Sequence, residues 1–236
     1  MSANANVLHA TAAMASSKRE SPLVREAGHR PINRWNPEDF AREQILSLVR
    51  TVFFAKSDRP AQQVVFSAVD RNISVAGICE QVASVLALQT AGHVAVVDAG
   101  SAAAEGSYTR ASTPKASSIK ARSTEIGLNL WRITWDATGE VPHATGAGLH
   151  WLRFLEQLRN EFEFVAIEGP AAGTSSEATL LGQLTDGVIL VLDARSTRRA
   201  TAQKAKETLD AAHCRMLGTV LIERSFPIPE QIYRRL

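Results

Sequence analysis

Apolar residues recur along this chain with two different periods. Short continuous apolar runs at Gln63–Ser67, His93–Asp98, Asn129–Thr134, Phe162–Glu168, Gly187–Asp193 and Met216–Glu223 read as strands. Between them, Val75–Thr90, Leu149–Asn160 and Thr197–Ala212 carry their apolar positions at helical spacing. In LHWLRFLEQLRN, Leu149, Leu152, Leu155 and Leu158 are expected along one side of the helix, with Arg and Glu elsewhere. GVILVLD and MLGTVLI are apolar without interruption, as expected of strands covered on both faces. Strands alternating with helices of this length predict an α/β fold. The expected architecture is a doubly wound, mostly parallel sheet with helices on both faces, a three-layer arrangement of Rossmann type joined by right-handed crossovers.

The flanking segments look different. Residues 1–35 are rich in Ala, Ser, Asn and charge and hold little that can be buried, so they read as a flexible leader to a domain over 36–236. Asn36-Pro37-Glu38-Asp39 is a helix start, with Asn as cap, Pro at the first helical position and acids at the positive end of the helix dipole. Phe40, Ile45, Leu46, Val49 and Phe53 continue it at helical spacing, which predicts a helix over about 37–55. Residues 101–124, SAAAEGSYTRASTPKASSIKARST, break the alternation and read as a flexible, solvated loop. Its Arg110, Lys115, Lys120 and Arg122 offer positive charge to an acidic partner or a phosphate.

Composition narrows the function classes. Hydrophobic residues make up 45% of the 236, enough for a full core. A net charge of +2 gives no footprint for nucleic acid or a membrane surface. No segment approaches the ~18 apolar residues of a membrane span or the core of a signal peptide. A soluble, cytoplasmic protein is expected, one that inserts in no membrane and reaches one only through a partner. Cys79 and Cys214 stand in apolar surroundings and read as small buried thiols in a reducing compartment.

The candidate chemistry lies between Val64 and Gly100. A strand, a loop, an amphipathic helix and a second strand ending in Asp98 form the layout in which a nucleotide-binding unit carries G-x-x-x-x-G-K-[ST]. The glycines turn backbone N–H groups toward a phosphate, the lysine neutralises it and the hydroxyl coordinates Mg²⁺. Here the positions from Ser67 to Ser74 read S-A-V-D-R-N-I-S. Ser67 and Asn72 take the glycine positions, Ile73 takes the lysine position, and Ser74 keeps the hydroxyl that would hold Mg²⁺ with Asp98. Asn72 is expected to preserve the turn, since Asn tolerates left-handed backbone angles. Ile73 replaces no cation, and Asp70 puts negative charge where phosphates would lie, partly offset by Arg71. A charge-assisted bond to phosphate is worth about 1.5–3 kcal/mol, so losing the lysine alone weakens the grip by about tenfold to a hundredfold. The nucleotide contacts would thus fall to Asp70, Arg71, Asn72, Ile73, Ser74 and Val75. The remaining acids are Asp98, at the carboxyl edge of the sheet where ligands of such folds bind, and Glu168, which ends FEFVAIEGP. They could orient Mg²⁺ or a water, or could cap the turns that follow them.

The order of these segments resembles the cytoplasmic ATPase domain of the bacterial tyrosine autokinases that regulate capsular and exopolysaccharide synthesis, which belong to the wider group of MinD/ParA-like P-loop ATPases. The run from Phe162 to Arg224 carries most of the likeness, through Glu168, Pro170, Glu177, Ala178, Asp186, Gly187, Thr197, Arg198, Arg199, Leu217, Gly218 and Leu221. HVAVVDAG is similar to the family's V-L-L-V-D-A-D, and NLWRITW to its N-L-W-V-L-P-A-G. The resemblance implies a P-loop NTPase-like fold, ATP or ADP with Mg²⁺ as ligand, a membrane polysaccharide co-polymerase or export protein as partner, and self-association.

The departures shape the functional expectation. The family's P-G-E-G-K-S-T stands against Val69–Val75, V-D-R-N-I-S-V, the second acid of D-A-D is Gly100, and the Walker B aspartate is Glu168. In place of a tyrosine cluster the chain has Tyr108 and Tyr233, and AREQILSLVR lacks the family's E-x-x-R-x-x-R. The expectation is a regulatory or scaffolding protein of exopolysaccharide or capsule export with a degenerate nucleotide site. The rival is an active autokinase with a non-standard phosphate loop, in which Arg71 replaces the lysine and Asp98 and Glu168 hold Mg²⁺. In SFPIPEQIYRRL, Ile232, Tyr233 and Leu236 are expected to close over the sheet edge.

Overall fold

The computed structural model describes residues 37–56, 60–99, 118–134 and 147–223. The chain divides into the units Met1–Arg34 and Trp35–Leu236, and every described residue belongs to the second. In chain order the elements are α1 (Pro37–Val52), β1 (Gln63–Ala68), α2 (Ala76–Gln89), β2 (Val94–Asp98), a 3₁₀ turn (Lys120–Arg122), β3 (Thr124–Gly127), β4 (Leu130–Thr134), α3 (Ala147–Glu161), β5 (Phe164–Gly169), α4 (Ser176–Leu184), β6 (Gly187–Asp193), α5 (Arg199–Ala211) and β7 (Met216–Ile222).

One seven-stranded sheet runs in the order β3-β4-β2-β5-β1-β6-β7. Every pairing is parallel except β3 with β4. Side chains alternate across each strand, so the central strands feed two apolar layers. Val64 and Phe66 of β1 join Ile45, Val49 and Phe53 of α1 and Val82 and Leu86 of α2 on one face. Val65 joins Trp151, Phe154 and Leu158 of α3, Leu181 of α4 and Leu209 of α5 on the other. This is the expected doubly wound sheet with helices on both faces.

At its amino end the sheet is tied by Asp186, which accepts hydrogen bonds from the N–H groups of Gln62 (2.9 Å) and Gln63 (2.7 Å) and pairs with Arg159 (3.0 Å). Gly187 follows because a Cβ there would lie 2.5 Å from Leu217 Cγ and 2.8 Å from the Arg215 carbonyl oxygen. Cys79 and Cys214 are buried free thiols, and burial first of all pushes the Cys79 pKa up. No helix among the described residues is long and apolar enough to cross a membrane.

Four expectations need correcting. The buried side of α3 is formed by Trp151, Phe154, Leu155 and Leu158, while Leu149 and Leu152 are 57% and 48% exposed. A three-residue step falls short of a helical turn by about 60°, so the leucine series winds around the helix until Leu149 stands opposite Leu158. The strand β7 lies at the sheet edge with Leu221 51% exposed, so its unbroken apolar run does not reflect cover on both faces. A strand absent from the expectation, β3, pairs antiparallel with β4 through Leu128 and Asn129, the latter at φ 57°. Finally, residues 118–124 of the presumed 101–124 loop are ordered, with Ile119 buried. Glu161 holds that turn by accepting hydrogen bonds from Ser118 Oγ (2.7 Å), Ile119 N–H (2.9 Å) and Lys120 N–H (2.8 Å). Residues 1–36, 101–117 and 224–236 lie outside the described residues, as do Asn36, Tyr108, Arg110, Lys115, Ile232, Tyr233 and Leu236.

Candidate functional site

The central strands β2, β5 and β1 end side by side, and a cleft of about 340 Å³ opens at their carboxyl edge. Its walls include Asp70, Arg71, Ile73, Ser74, Asp98 and Glu168. The sheet therefore brings together most of the residues singled out in the sequence, from three separate stretches of chain. Asn72 is the member of that set that does not line it.

The loop after β1 is tied to β6 and to itself. Val69 N–H donates to the Val191 carbonyl (3.2 Å), Asn72 N–H to Asp70 Oδ1 (3.0 Å), and Ile73 N–H to the Asp70 carbonyl (3.4 Å). Asp70, read as a charge facing a phosphate, is thus also the staple of its own loop. Asn72 is exposed, and the described non-glycine residues with positive φ are Asn129, His213 and Glu223. It does not supply the left-handed turn expected of it. Ile73, at the lysine position, is 9% exposed and packs into the apolar layer under α1 and α2. Ser74 is exposed at the cleft, and Val75 precedes α2 without a side-chain cap.

A second loop, after β5, leans on the first. Ala172 N–H donates to the Ala68 carbonyl (2.8 Å) and Gly173 N–H to that of Val69 (3.2 Å). Glycine is required at 173, because a Cβ would sit 2.4 Å from the Val69 carbonyl oxygen. Ser67, at the first glycine position of the nucleotide motif, is fully buried and donates to the Pro170 carbonyl (2.6 Å). Arg71 reaches the same loop through Nε to Thr174 Oγ1 (3.3 Å).

Asp98 and Glu168 are direct neighbours in register across β2 and β5. Glu168 is 7% exposed and its Oε1 has no hydrogen-bond partner. Burial, and then the charge of Asp98, raise its pKa to about 6, against the opposing charge of Arg132. Arg132 is a residue that sequence reasoning missed. It stands on β4 beside Val96 of β2 and forms an ion pair with Glu80 of α2. Its signal was visible as a lone cation inside the apolar run NLWRITW.

The basic residues of 101–124 that are described serve elsewhere. Lys120 lies at the opposite, amino end of β2, its Nζ 2.7 Å from His93 Nε2 and 4.3 Å from the centre of the Trp131 ring. Among the described residues no group of three or more His, Cys, Asp or Glu side chains is placed to hold a metal ion.

No protein-family model matches the chain. Over 96 residues it is 29% identical to "Tyrosine-protein kinase CpsD" of Streptococcus agalactiae serotype III (strain NEM316), covering 39% of this chain and 41% of that protein. Over 109 residues it is 28% identical to "Putative tyrosine-protein kinase CapB" of Staphylococcus aureus, covering 46% of each. The matched stretches thus span less than half the length of these curated relatives. Among solved structures, "the chimerical protein CapA2B2" superposes with a TM-score of 0.60 at 18% identity, over 82% of this chain and 86% of that one. The kinase domain of Escherichia coli tyrosine kinase ETK gives 0.59 at 15% identity over 80% and 79%. The MinD cell division protein of Aquifex aeolicus gives 0.51 at 13% identity over 74% and 73%. The fold is that of the P-loop NTPases of the bacterial tyrosine kinase and MinD/ParA type, and the resemblance read from the sequence is borne out at that level.

Proposed function

We propose that this protein is a P-loop-fold component that regulates or scaffolds exopolysaccharide or capsule biosynthesis and export, with a cleft that no longer serves Mg·ATP. One observation carries the second half of this reading. The residue at the lysine position, Ile73, is packed into the core, and the N–H groups of Asn72 and Ile73 beside it are bonded within their own loop. Among the described residues, a triphosphate would meet Asp70, Asp98 and Glu168 with Arg71 as the lining cation to oppose them. Ser74, Asp98 and Glu168 offer oxygens and the amino end of α2 offers N–H groups, but among the described residues no lysine lines the cleft to neutralise a polyphosphate.

The setting is supported by the likeness to CpsD and CapB and by the fold shared with the CapA2B2 chimera. On this reading the protein works in the cytoplasm, where a membrane co-polymerase or export protein recruits it, alone or as a homo-oligomer. Titrating the purified chain with Mg·ATP by calorimetry, alongside a phosphate-release assay, tests it. Neither micromolar binding nor turnover is expected. Both together would establish the rival, an autokinase using Arg71, Asp98 and Glu168, which further requires phosphate on Tyr108 or Tyr233 by mass spectrometry.

A further inference from the structure

Among the described residues, the lining of the cleft carries more acids than cations, the wrong balance for the ligand its fold is built to hold. Asp70, Asp98 and Glu168 line it against Arg71, which leans on Thr174. Arg132, whose charge reaches Glu168, is already paired with Glu80. The amino end of α2 opens on the same space and supplies about half a positive charge, less than the acids carry.

Glu168 points independently to a ligand. It is 7% exposed, borders the cleft, and keeps an enclosed carboxylate oxygen without a donor. Such a group destabilises the protein, and a ligand that brings N–H donors on a positive charge removes that penalty. Among the described residues no group of three or more acids, histidines or cysteines is set to hold a metal. Ala68, Ile73, Val75 and Pro170 add apolar lining, which suits an alkyl stem with its charge at the tip.

We propose that this cleft receives an alkylammonium or alkylguanidinium group, held by charge-assisted hydrogen bonds to Glu168 and Asp98. A small amine and a Lys or Arg side chain of another polypeptide bring the same group. The proposal rests on the reading that the cleft does not serve Mg·ATP.

Calorimetry on the full chain tests it with two probes, agmatine and a pentapeptide carrying one arginine. Binding of either is expected, with affinity at least tenfold weaker in Glu168→Gln and unchanged in Glu207→Gln, an acid exposed on α5. Binding of agmatine alone identifies a small amine as the source, and binding of the peptide alone identifies a polypeptide side chain. Absence of binding by both probes up to millimolar concentration overturns the proposal, as does equal affinity in Glu168→Gln. Should that variant fail to fold, Asp98→Asn is held to the same criterion. Mg·ATP in the same calorimeter separates the two readings. Silence from all three ligands removes this proposal and leaves the scaffold reading, whereas micromolar Mg·ATP binding removes both.

Discussion

Glu168 shows how one enclosed carboxylate sets a pH dependence. Its pKa rises from the ordinary 4.5 to about 6 because burial and Asp98 both disfavour the charged form. The folded state therefore binds this proton more tightly than the unfolded chain. The resulting stabilisation is fully present below about pH 4.5 and is lost as pH rises through about 6. A shift of this size is worth about 2 kcal/mol as an upper figure. Glu168→Gln is accordingly expected to gain about 1–2 kcal/mol in urea unfolding at pH 7.5 and nothing at pH 4. Ile73 gives a second test at this scale. If a lysine at position 73 were enough to complete a phosphate loop, Ile73→Lys would bind Mg·ATP. Because position 73 faces the core, the expected outcome is about 1–3 kcal/mol of lost stability and no binding of Mg·ATP in the calorimeter.

Among the elements, the turns rather than the helices decide where the chemistry sits. The loop after β5 closes over the loop after β1 only because Gly173 permits backbone contact at Val69. Gly173→Ala is expected to cost about 1–3 kcal/mol by overpacking, measured by thermal melting. The 3₁₀ turn depends on Glu161 in a different way. Burial pushes the Glu161 carboxyl up, but hydrogen bonds from Lys120, Ser118 and Ile119 outweigh it and hold its pKa below the ordinary value. Its contribution is therefore present above the ordinary pKa and is lost as pH falls through the depressed one. Glu161→Ala should expose residues 118–123 to rapid hydrogen exchange at pH 7 while the amides of β1 and β5 stay protected.

At the scale of the whole molecule, the seven strands and five helices of the described residues bury two apolar layers, and a site assembles where the central strands end. Much of this was legible in advance. Six of the seven strands, the alternation and the candidate acids could be read from runs such as VVFSA, VAVVD and FVAIEG, because a strand buried on both faces must be apolar throughout. The strand β3 was not legible. Its TEIG is short, exposed and polar, and only pairing with β4 makes it a strand. The side of α3 that packs was misread because a leucine spacing of three, unlike an alternation of three and four, does not stay on one face.

The sequence by itself determined the α/β class, the mostly parallel sheet and the absence of a G-x-x-x-x-G-K-[ST] run over positions 67–74, since each depends on residue type and local spacing. Tertiary structure alone decided that Ile73 turns into the core, that Asp70 staples its own loop, and that Asp98 and Glu168 stand side by side. Those facts depend on strand register, on a glycine contact between two distant loops and on burial, which arise only when segments remote in the chain are packed together.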